Sequence, residues 1–462
     1  MGLSTHHHRS QRGGAAWTPA SLGTSLKGWW KSDAGVKGRT AAQFTAANSE
    51  FLSKTVPTTL DVGDVDWWYC GRIYMDTWDT NRFVSAIQNG TNQLFWLYES
   101  GTKLTFNVYN GVSTLVGTAQ SAALSTGTWY YFMAYHSATS NEVGISINGA
   151  AFTTAATTGA AGASGAPFQI GSRSASPIYF DGRMQTFAFG AAGSDSMATI
   201  RDLFYNSGNG KVYADLTSAQ KTSTGLISMW NLTEESGARA DSHGANALTD
   251  NNTVTANDGK VEYAVTADAS VVYKWTDQSA GALLPVQATH TKKPLLKTNI
   301  LNTTRSVLRF DGTDDFLKVA SGAISNQPLW GWAVVDDNDA ATRYYFDGGA
   351  ASKVSLFHDG TNLNANAGSS VGAAHTAGAP HLVTFSVNGA SSQIWVDGTS
   401  LATGDAGAQN QDSGIAIGAD NAGATPLAGD IAEIAFVAGS PSAADLANLK
   451  AYINARYNLG VA

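Results

Sequence analysis

The chain of 462 residues is long enough for roughly two to four domains. A formal net charge of −8 and a charged fraction of only 14% exclude the basic surface that nucleic-acid binding requires. Cys70 is the single cysteine, which excludes a disulfide within the chain, and residues 1–14 contain no apolar stretch, which predicts neither a secretion signal nor a membrane anchor.

The first 16 residues form a leader rich in glycine, histidine, arginine and serine, with too few apolar side chains to build a core. Such a segment becomes ordered when a partner holds it. Arg9 and Arg12 would then lie against an acidic or carbonyl-lined groove. The sequence therefore predicts an anchoring leader over residues 1–16.

Short runs of alternating apolar and polar residues predict antiparallel β-strands, each bounded by turn residues. Leu104, Phe106 and Val108 alternate with polar residues, so we expect one face of this strand to be buried and the other to be wet. Seven tryptophans lie in strand-like runs and are expected in the core, as is Cys70: Trp29, Trp30, Trp67, Trp68, Trp230, Trp275 and Trp395. The sequence predicts an all-β protein.

A polar loop follows one of these strands and contains Asp76, Trp78, Asp79 and Asn81. Carboxylate and amide oxygens are the ligands that calcium prefers, and a tryptophan exposed on such a loop could stack on a sugar ring. Asp and Asn are also common turn residues. An ordinary turn, a calcium site and a sugar site therefore all stay open.

The second half of the chain contains a similar loop, at Asp336, Asp337, Asn338 and Asp339. The candidate calcium ligands are Asp76, Asp79, Asp336 and Asp339, and the candidate sugar-binding residues are Trp78, Asp79, Asn81, Asp337 and Asn338. No cofactor is required by the sequence, and calcium is the one candidate ion. The acidic group Asp311, Asp314 and Asp315 is interpreted as a plain turn.

A repeat runs through the chain at a constant spacing. Gly171 and Gly418, Gly182 and Gly429, and Phe189 and Phe436 are each 247 residues apart. A constant spacing over several strands indicates duplication. We expect one domain over 17–208, a linker over 209–225 and a second domain over 226–462.

Each repeat is expected to end in a helix. The first helix would contain Met197, Ile200, Leu203 and Phe204. For the second, Ser440 is the expected N-cap and Pro441 the first helical residue, with Leu446, Leu449 and Ile453 facing a sheet.

Several segments resemble laminin G-like domains that are common in bacteriophage structural proteins. They are Leu226 to Asn252, Val272 to Leu317, and Gly429 to Ile434 with the helix that follows. The resemblance implies two tandem concanavalin A-like jelly-roll β-sandwiches, each closed by a short C-terminal helix. It does not imply an activity, because such folds host many functions.

The resemblance, the missing signal and the single cysteine favour a non-enzymatic virion protein, as a head decoration, fibre or tail accessory subunit. It would assemble in the host bacterial cytoplasm, in several copies, with capsid or tail subunits and host-surface polysaccharide as partners. Neither nucleic-acid binding nor membrane insertion is expected.

Two alternatives stay open, a free carbohydrate-binding lectin or adhesin and a glycoside hydrolase. A retaining glycosidase needs two carboxylates about 5 Å apart, which on this fold usually alternate along one strand. The corresponding pattern Glu-x-Asp-x-x-Glu does not occur in the sequence. No enzymatic activity is therefore expected.

Overall fold

The computed structural model describes residues 17–55, 57–79, 81–174, 177–319, 322, 324–338, 341–349, 353–411 and 414–461. The chain divides into two compact units. Arg39–Tyr263 forms one unit, which we call the inserted domain. The described residues up to Gly38 and those from Ala264 onward form the other, which we call the split domain.

The strands before residue 265 belong mainly to the inserted domain. They are β1 (Leu26–Lys31), β2 (Val36–Phe44), β3 (Phe51–Lys54), β4 (Trp67–Met75), β5 (Phe83–Asn89), β6 (Asn92–Ser100), β7 (Lys103–Tyr109), β8 (Leu115–Gln120), β9 (Trp129–Ser137), β10 (Glu142–Ile147), β11 (Thr153–Ala156), β12 (Phe168–Ile170), β13 (Gly182–Ala191), β14 (Leu226–Trp230), β15 (Thr249–Asn251) and β16 (Thr255–Ala264).

The later strands belong to the split domain. They are β17 (Ser270–Val271), β18 (Lys274–Trp275), β19 (Leu295–Leu301), β20 (Arg305–Asp311), β21 (Leu317–Val319), β22 (Leu329–Asp337), β23 (Thr342–Gly348), β24 (Ser355–Asp359), β25 (Asn362–Asn366), β26 (Ser370–Ala374), β27 (His381–Val387), β28 (Ser392–Val396), β29 (Thr399–Gly404), β30 (Ile415–Ile417) and β31 (Ala428–Ala438).

The α-helices of the described residues are α1 (Met197–Tyr205), α2 (Ser218–Ser223) and α3 (Ala443–Tyr457). Short 3-10 turns cover Pro19–Ser25, Ala46–Asn48, Asn206–Gly208, Tyr213–Asp215 and His290–Lys292. Within the described ranges, no helix has the length and apolar character that crossing a membrane requires.

The inserted domain is a sandwich of two antiparallel sheets. The larger sheet runs in the order β11-β10-β9-β4-β13, with β2 and β14 pairing successive parts of β13, and the smaller runs β15-β3-β12-β5-β6-β7-β8. Alternate residues of both sheets meet in the core, where the Trp67 ring lies 5.5 Å from that of Phe95 and 5.7 Å from that of Phe106.

The split domain has the same two-layer construction. Its larger sheet runs β17-β19-β20-β31-β22-β27-β28-β29, with β1 paired to β31, and its smaller sheet runs β21-β30-β23-β24-β25-β26. Helix α3 packs on the larger sheet through Leu449, Ile453 and Tyr457. Both domains are therefore all-β sandwiches of two antiparallel sheets, as expected from the sequence.

The strand pairing agrees with the 247-residue repeat. Gly182 lies opposite Phe44 and Met75 in the inserted domain, and Gly429 lies opposite Phe310 and Asp337 in the split domain. The pairing thus relates β13 to β31 and β2 to β20.

The two units have different boundaries from the predicted domains. Residues 226–230 form β14, where Trp230 lies opposite Phe187 and stacks on Phe168 with ring centroids 5.3 Å apart, so this segment completes the inserted domain. Conversely, Trp30 in β1 lies opposite Ile434, so the N-terminal strand completes the split domain. The predicted linker, 209–225, contains helix α2.

Each sandwich needs one strand at the position next to β13 or β31, and this explains the observed boundaries. Trp30 of β1 and Trp230 of β14 occupy this equivalent position, since their partners Ile434 and Phe187 are also 247 residues apart. Both indoles are completely buried. In the split domain this strand precedes the other strands along the chain, whereas in the inserted domain it follows most of them.

The helices follow the predicted pattern with one shift. Ser442, and not Ser440, caps α3, because its side chain accepts the backbone N–H of Asp445 and the Asp445 carboxylate accepts the N–H of Ser442. Helix α1 buries Ile200 and Phe204 as expected.

The residues expected in the core are buried there with one exception. Cys70 is buried, as are Trp29, Trp30, Trp67, Trp68, Trp230 and Trp275. Trp395 is half-buried instead and lines a cavity of about 230 Å³ beside α3.

Candidate functional site

The loop after β4 uses its polar residues mainly within the domain. Trp78, expected to be exposed, is half-buried and packs against the core, and its role in sugar binding stays a prediction. Asp76 accepts a hydrogen bond from Gln43 Nε2 at 3.2 Å. Asp79 is exposed, and Asn81 has a left-handed backbone with φ of 73°. These features favour the turn interpretation.

Glu99, in β6, holds this loop in place. Its Oε2 accepts the N–H of Asp79 at 3.1 Å, and its backbone carbonyl accepts the N–H of Asn81 at 2.9 Å. Arg82 lies 3.4 Å from a carboxylate oxygen of Asp181 and 3.8 Å from one of Asp79. Burial raises the pKa of Glu99 to about 8, so the network contains a carboxyl group that stays protonated at neutral pH.

The corresponding loop of the split domain is shifted by two residues from a correspondence that begins at Asp76 and Asp336. The N–H of Asn338 donates to the carbonyl of Ala428 at 2.8 Å, as the N–H of Asp76 donates to the carbonyl of Asp181 at 3.0 Å. Asn338 therefore corresponds to Asp76, and Asp337 corresponds to a residue of β4.

Asp337 lies inside the split domain and not on its rim. It is 1% exposed and accepts the hydroxyl of Tyr345 at 2.8 Å, so its expected role as a surface ligand is wrong. Burial, with the charge on Asp430, raises the pKa of neighbouring Asp336. Asp339, Arg9 and Arg12 lie outside the described residues.

Among the described residues, one group of carboxylates is close enough to share a metal ion, at Asp311, Asp314 and Asp315. The Asp311 carboxylate accepts the N–H groups of Thr313 and Asp314, and Asp315 accepts the N–H of Asp311. Burial and the charge on Asp311 raise the pKa of Asp315 to about 7. Hydrogen bonds within the turn account for this arrangement, and calcium binding anywhere in the chain stays a prediction.

A different surface of the inserted domain combines aromatic rings with polar groups. In β6, Phe95 and Leu97 face the core, so Trp96 and Tyr98 lie on the opposite face of the smaller sheet. We call this surface the aromatic face. It comprises Phe83, Trp96, Tyr98, Asn107, Tyr109 and Arg173.

The rings of the aromatic face contact one another across three strands. The Phe83 and Tyr98 rings are stacked, with centroids 5.4 Å apart and an angle of 20° between planes. The Trp96 ring lies 5.6 Å from Phe83 and 4.9 Å from Tyr109. Trp96 and Tyr98 are half-buried, whereas Phe83 and Tyr109 are buried, so the partly open part of the platform is the Trp96 and Tyr98 rings.

Arg173, in the loop after β12, supplies the charge on this platform. Its guanidinium carbon lies 4.7 Å from the centroid of Phe83 and 5.2 Å from that of Trp96, within the range of a cation–π interaction. Burial lowers the pKa of Arg173, and it raises that of Tyr109 to about 12, so that phenol remains a neutral hydrogen-bond donor.

A polar row crosses the sheet through the middle of the aromatic face. Pairing places Ser53 opposite Gln169, Ala86 between Gln169 and Trp96, and Asn107 opposite Trp96. Trp96 Nε1 and Gln169 Oε1 are buried without a hydrogen-bond partner among the described residues. An unpaired donor and an unpaired acceptor are thus both buried on this side of the sheet.

This surface was missed because the sequence pattern was interpreted as one buried and one wet face. Thr105 and Asn107, on the face expected to be wet, are only 1% and 6% exposed. One feature of the sequence does indicate the aromatic face. Trp96 and Tyr98 stand at the positions of an alternating strand where water-facing residues, usually small or charged, are expected.

Residues 56–191 match the model of a family described as the concanavalin A-like lectin/glucanases superfamily. The match includes every residue of the aromatic face. No match was found among curated proteins.

Solved structures similar to the chain include a candidate carbohydrate-binding protein from Bacteroides ovatus, at 17% identity and a TM-score of 0.36, covering 50% of this chain. The chain spans 62% of that protein's length.

Domains LG4-5 of the mouse laminin alpha1 chain match at 11% identity and a TM-score of 0.25, covering 88% of this chain and 95% of that one. The CBM40 of a Ruminococcus gnavus IT-sialidase, bound to alpha2,3 sialyllactose, matches at 12% identity and a TM-score of 0.29, covering 36% and 97%. At these scores the likenesses bear on neither the site nor its ligand.

Proposed function

We propose that this chain is a glycan-binding protein and that the aromatic face of the inserted domain is its binding site. The observation that carries the proposal is the pair of half-buried rings Trp96 and Tyr98, which pack against buried Phe83 beside the guanidinium of Arg173. Sugar rings have apolar C–H faces and polar edges. A partly open aromatic platform bordered by hydrogen-bonding groups matches both features.

The polar groups of the aromatic face are suited to sugar hydroxyls. Asn107 Oδ1 accepts the hydroxyl of Thr118 at 3.0 Å, and its Nδ2 lies 3.4 Å from the Tyr109 hydroxyl and 3.5 Å from that of Tyr98. These contacts hold the amide and the two phenols in fixed positions. A preorganised set loses little conformational entropy when a ligand binds.

The same surface supports binding without cleavage. Glycoside hydrolysis uses two carboxyl groups, about 5 Å apart in retaining enzymes and about 6.5–9.5 Å apart in inverting ones. The six residues of the aromatic face include no Asp or Glu. We therefore propose a binding protein and not a hydrolase.

A glycan array followed by titration calorimetry tests this function on the full chain. Tyr98→Ala removes one ring of the stacked pair, and it should weaken the affinity for the glycan identified on the array at least tenfold. Tyr130→Ala removes another half-buried tyrosine ring of the inserted domain and serves as the matched control. Equal affinity of wild type and Tyr98→Ala, or hydrolysis of the glycan, would contradict the proposal.

The finer proposal is that the glycan is on a bacterial surface and that the chain is a virion subunit. Its support is the resemblance of residues 226–252 and 272–317 to laminin G-like domains of bacteriophage structural proteins. In this proposal residues 1–16, with Arg9 and Arg12, anchor the chain to a capsid or tail subunit.

Particles assembled with a chain that lacks residues 2–16 test the virion role. They should carry fewer copies of the protein, measured by quantitative mass spectrometry, while the truncated protein melts at the normal temperature. A normal copy number would exclude the leader as the anchor. Complete absence of the wild-type protein from particles would favour the free lectin or adhesin.

A further inference from the structure

The split domain has a surface equivalent to the aromatic face, with different chemistry. Tyr344 and Phe357 lie opposite each other in β23 and β24, as Phe83 and Tyr98 do in β5 and β6. Their rings are stacked, with centroids 4.9 Å apart and 17° between planes, and both are half-buried. Both domains thus keep a stacked aromatic pair at this position.

The loop beside the pair carries the opposite charge in the two domains. Gly171 and Gly418 are equivalent by the 247-residue spacing, and each donates its N–H to the strand that carries the aromatic pair. Two residues further on stand Arg173 in the inserted domain and Asp420 in the split domain. A cationic donor is therefore replaced by an anionic acceptor.

Asp347 adds a second acceptor beside this loop. It is 1% exposed, and its Oδ2 accepts Lys353 Nζ at 2.9 Å and the N–H of Asn421 at 3.0 Å. Its Oδ1 is buried without a hydrogen-bond partner among the described residues, and so is Oδ1 of Asn421. Asp347 and Asn421, which are hydrogen-bonded to each other, thus each have a buried acceptor oxygen that lacks a donor. An unpaired buried acceptor costs free energy unless a ligand supplies a hydrogen-bond donor.

The charges at this surface select the kind of donor. Lys353 already pairs with the Asp347 carboxylate, and Lys318 Nζ donates to the carbonyl of Asn421 at 2.9 Å. These ammonium groups oppose the binding of a cation, whereas the carboxylates of Asp347 and Asp420 oppose that of an anion. Hydroxyl groups of an uncharged molecule remain as the fitting donors.

We infer that the split domain has a second sugar site, which takes a neutral pyranose. Adjacent hydroxyls donate to Asp347 Oδ1 and Asn421 Oδ1, and the apolar face of the ring packs on Tyr344. The inference rests on the proposed function, and it makes the chain bivalent, with a cationic and an acceptor-rich site in its two domains.

Titration of the full chain with the neutral methyl glycosides of glucose, galactose and mannose, followed by ligand-detected NMR, tests the second site. Asp347→Asn and Asn421→Ala should each weaken binding of the preferred glycoside at least tenfold, because a hydrogen bond to a charged or buried acceptor is lost. Asp430→Asn, which changes a buried carboxylate paired with Arg309 elsewhere in the split domain, should leave that affinity unchanged.

Three outcomes overturn the inference. In the first, Tyr98→Ala loses glycan binding, whereas Asp347→Asn and Asn421→Ala bind as the wild type does. This result would exclude the second site and leave the proposed function standing. A calcium-induced rise in melting temperature that Asp347→Asn abolishes would make it a cation site. Failure of the wild type to bind any glycan, on arrays or as methyl glycosides, would remove both proposals.

Discussion

The guanidinium of Arg173 lies over the ring of Phe83, with its carbon 4.7 Å from the ring centroid. The guanidinium thus borders the platform proposed to bind a glycan. It offers several N–H donors in a fixed plane.

Replacing Arg173 should therefore reduce affinity more than stability. We expect Arg173→Ala to weaken glycan binding roughly tenfold, while the free energy of unfolding falls by about 1 kcal/mol or less, the typical size of a cation–π contact. Calorimetry and thermal denaturation measure the two effects.

Arg201 provides the matched control, because its guanidinium carbon lies 5.4 Å from the Phe152 ring in the same domain but away from the aromatic face. Arg201→Ala should leave the affinity unchanged. A loss of affinity as large in Arg201→Ala as in Arg173→Ala would indicate a general effect on folding.

The domain boundaries give a second prediction. A fragment of residues 39–263 contains both sheets of the inserted domain with β14, and it should fold alone with a cooperative thermal transition. A fragment of residues 17–208 lacks β14 and leaves the partners of Trp230 exposed. It should be aggregated or unfolded, as judged by gel filtration and circular dichroism.

The opposite result, a well-folded 17–208 fragment and an unfolded 39–263 fragment, would support the boundaries first expected from the sequence.

Fold class was predictable from the sequence because it depends on local periodicity. Alternation in residues such as Leu104, Phe106 and Val108 marks strands, and the 247-residue spacing marks duplication. The assignment of strands to domains was not predictable in this way. Leu226 to Trp230 pairs with a strand more than 30 residues away, and nothing local in its pattern identifies that partner.

The candidate site was less predictable than the fold. Asp79 and Asn81 were predicted as site residues because clustered polar residues stand together in one short segment of the sequence. The aromatic face is built from separate strands and a loop, so Phe83, Trp96 and Arg173 meet only through sheet register. Burial of Thr105 and Asn107 likewise depends on neighbours in other strands.

Glu99 gives a pH-dependent prediction. Burial raises its pKa to about 8 in the folded protein, from an ordinary value of 4.5. Between these values the unfolded chain has released the proton that the folded chain retains, so Glu99 lowers stability as the pH rises through this window. Each tenfold difference in proton affinity is worth about 1.4 kcal/mol.

Glu99→Gln removes this titration. Its stability relative to wild type should therefore increase from pH 5 to pH 8, measured by urea denaturation at both pH values. Glu262→Gln, an exposed change in β16, is the control and should show the same difference at both. A Glu99→Gln difference that does not vary with pH would show that the carboxyl titrates normally.

The equivalent tryptophans of the two domains allow a final prediction. Trp230 and Trp30 are both completely buried, and replacement of such a residue by alanine costs about 3–5 kcal/mol because it leaves a cavity. Trp230→Ala should increase hydrogen exchange in the strands of the inserted domain, such as β4 and β13, and leave β22 and β27 protected. Trp30→Ala should have the converse effect. Hydrogen exchange with mass spectrometry resolves these strands by peptide. If Trp230→Ala instead exposed β22 and β27 while β4 stayed protected, residues 226–230 would belong to the second half of the chain, and the nested division into an inserted and a split domain would be wrong.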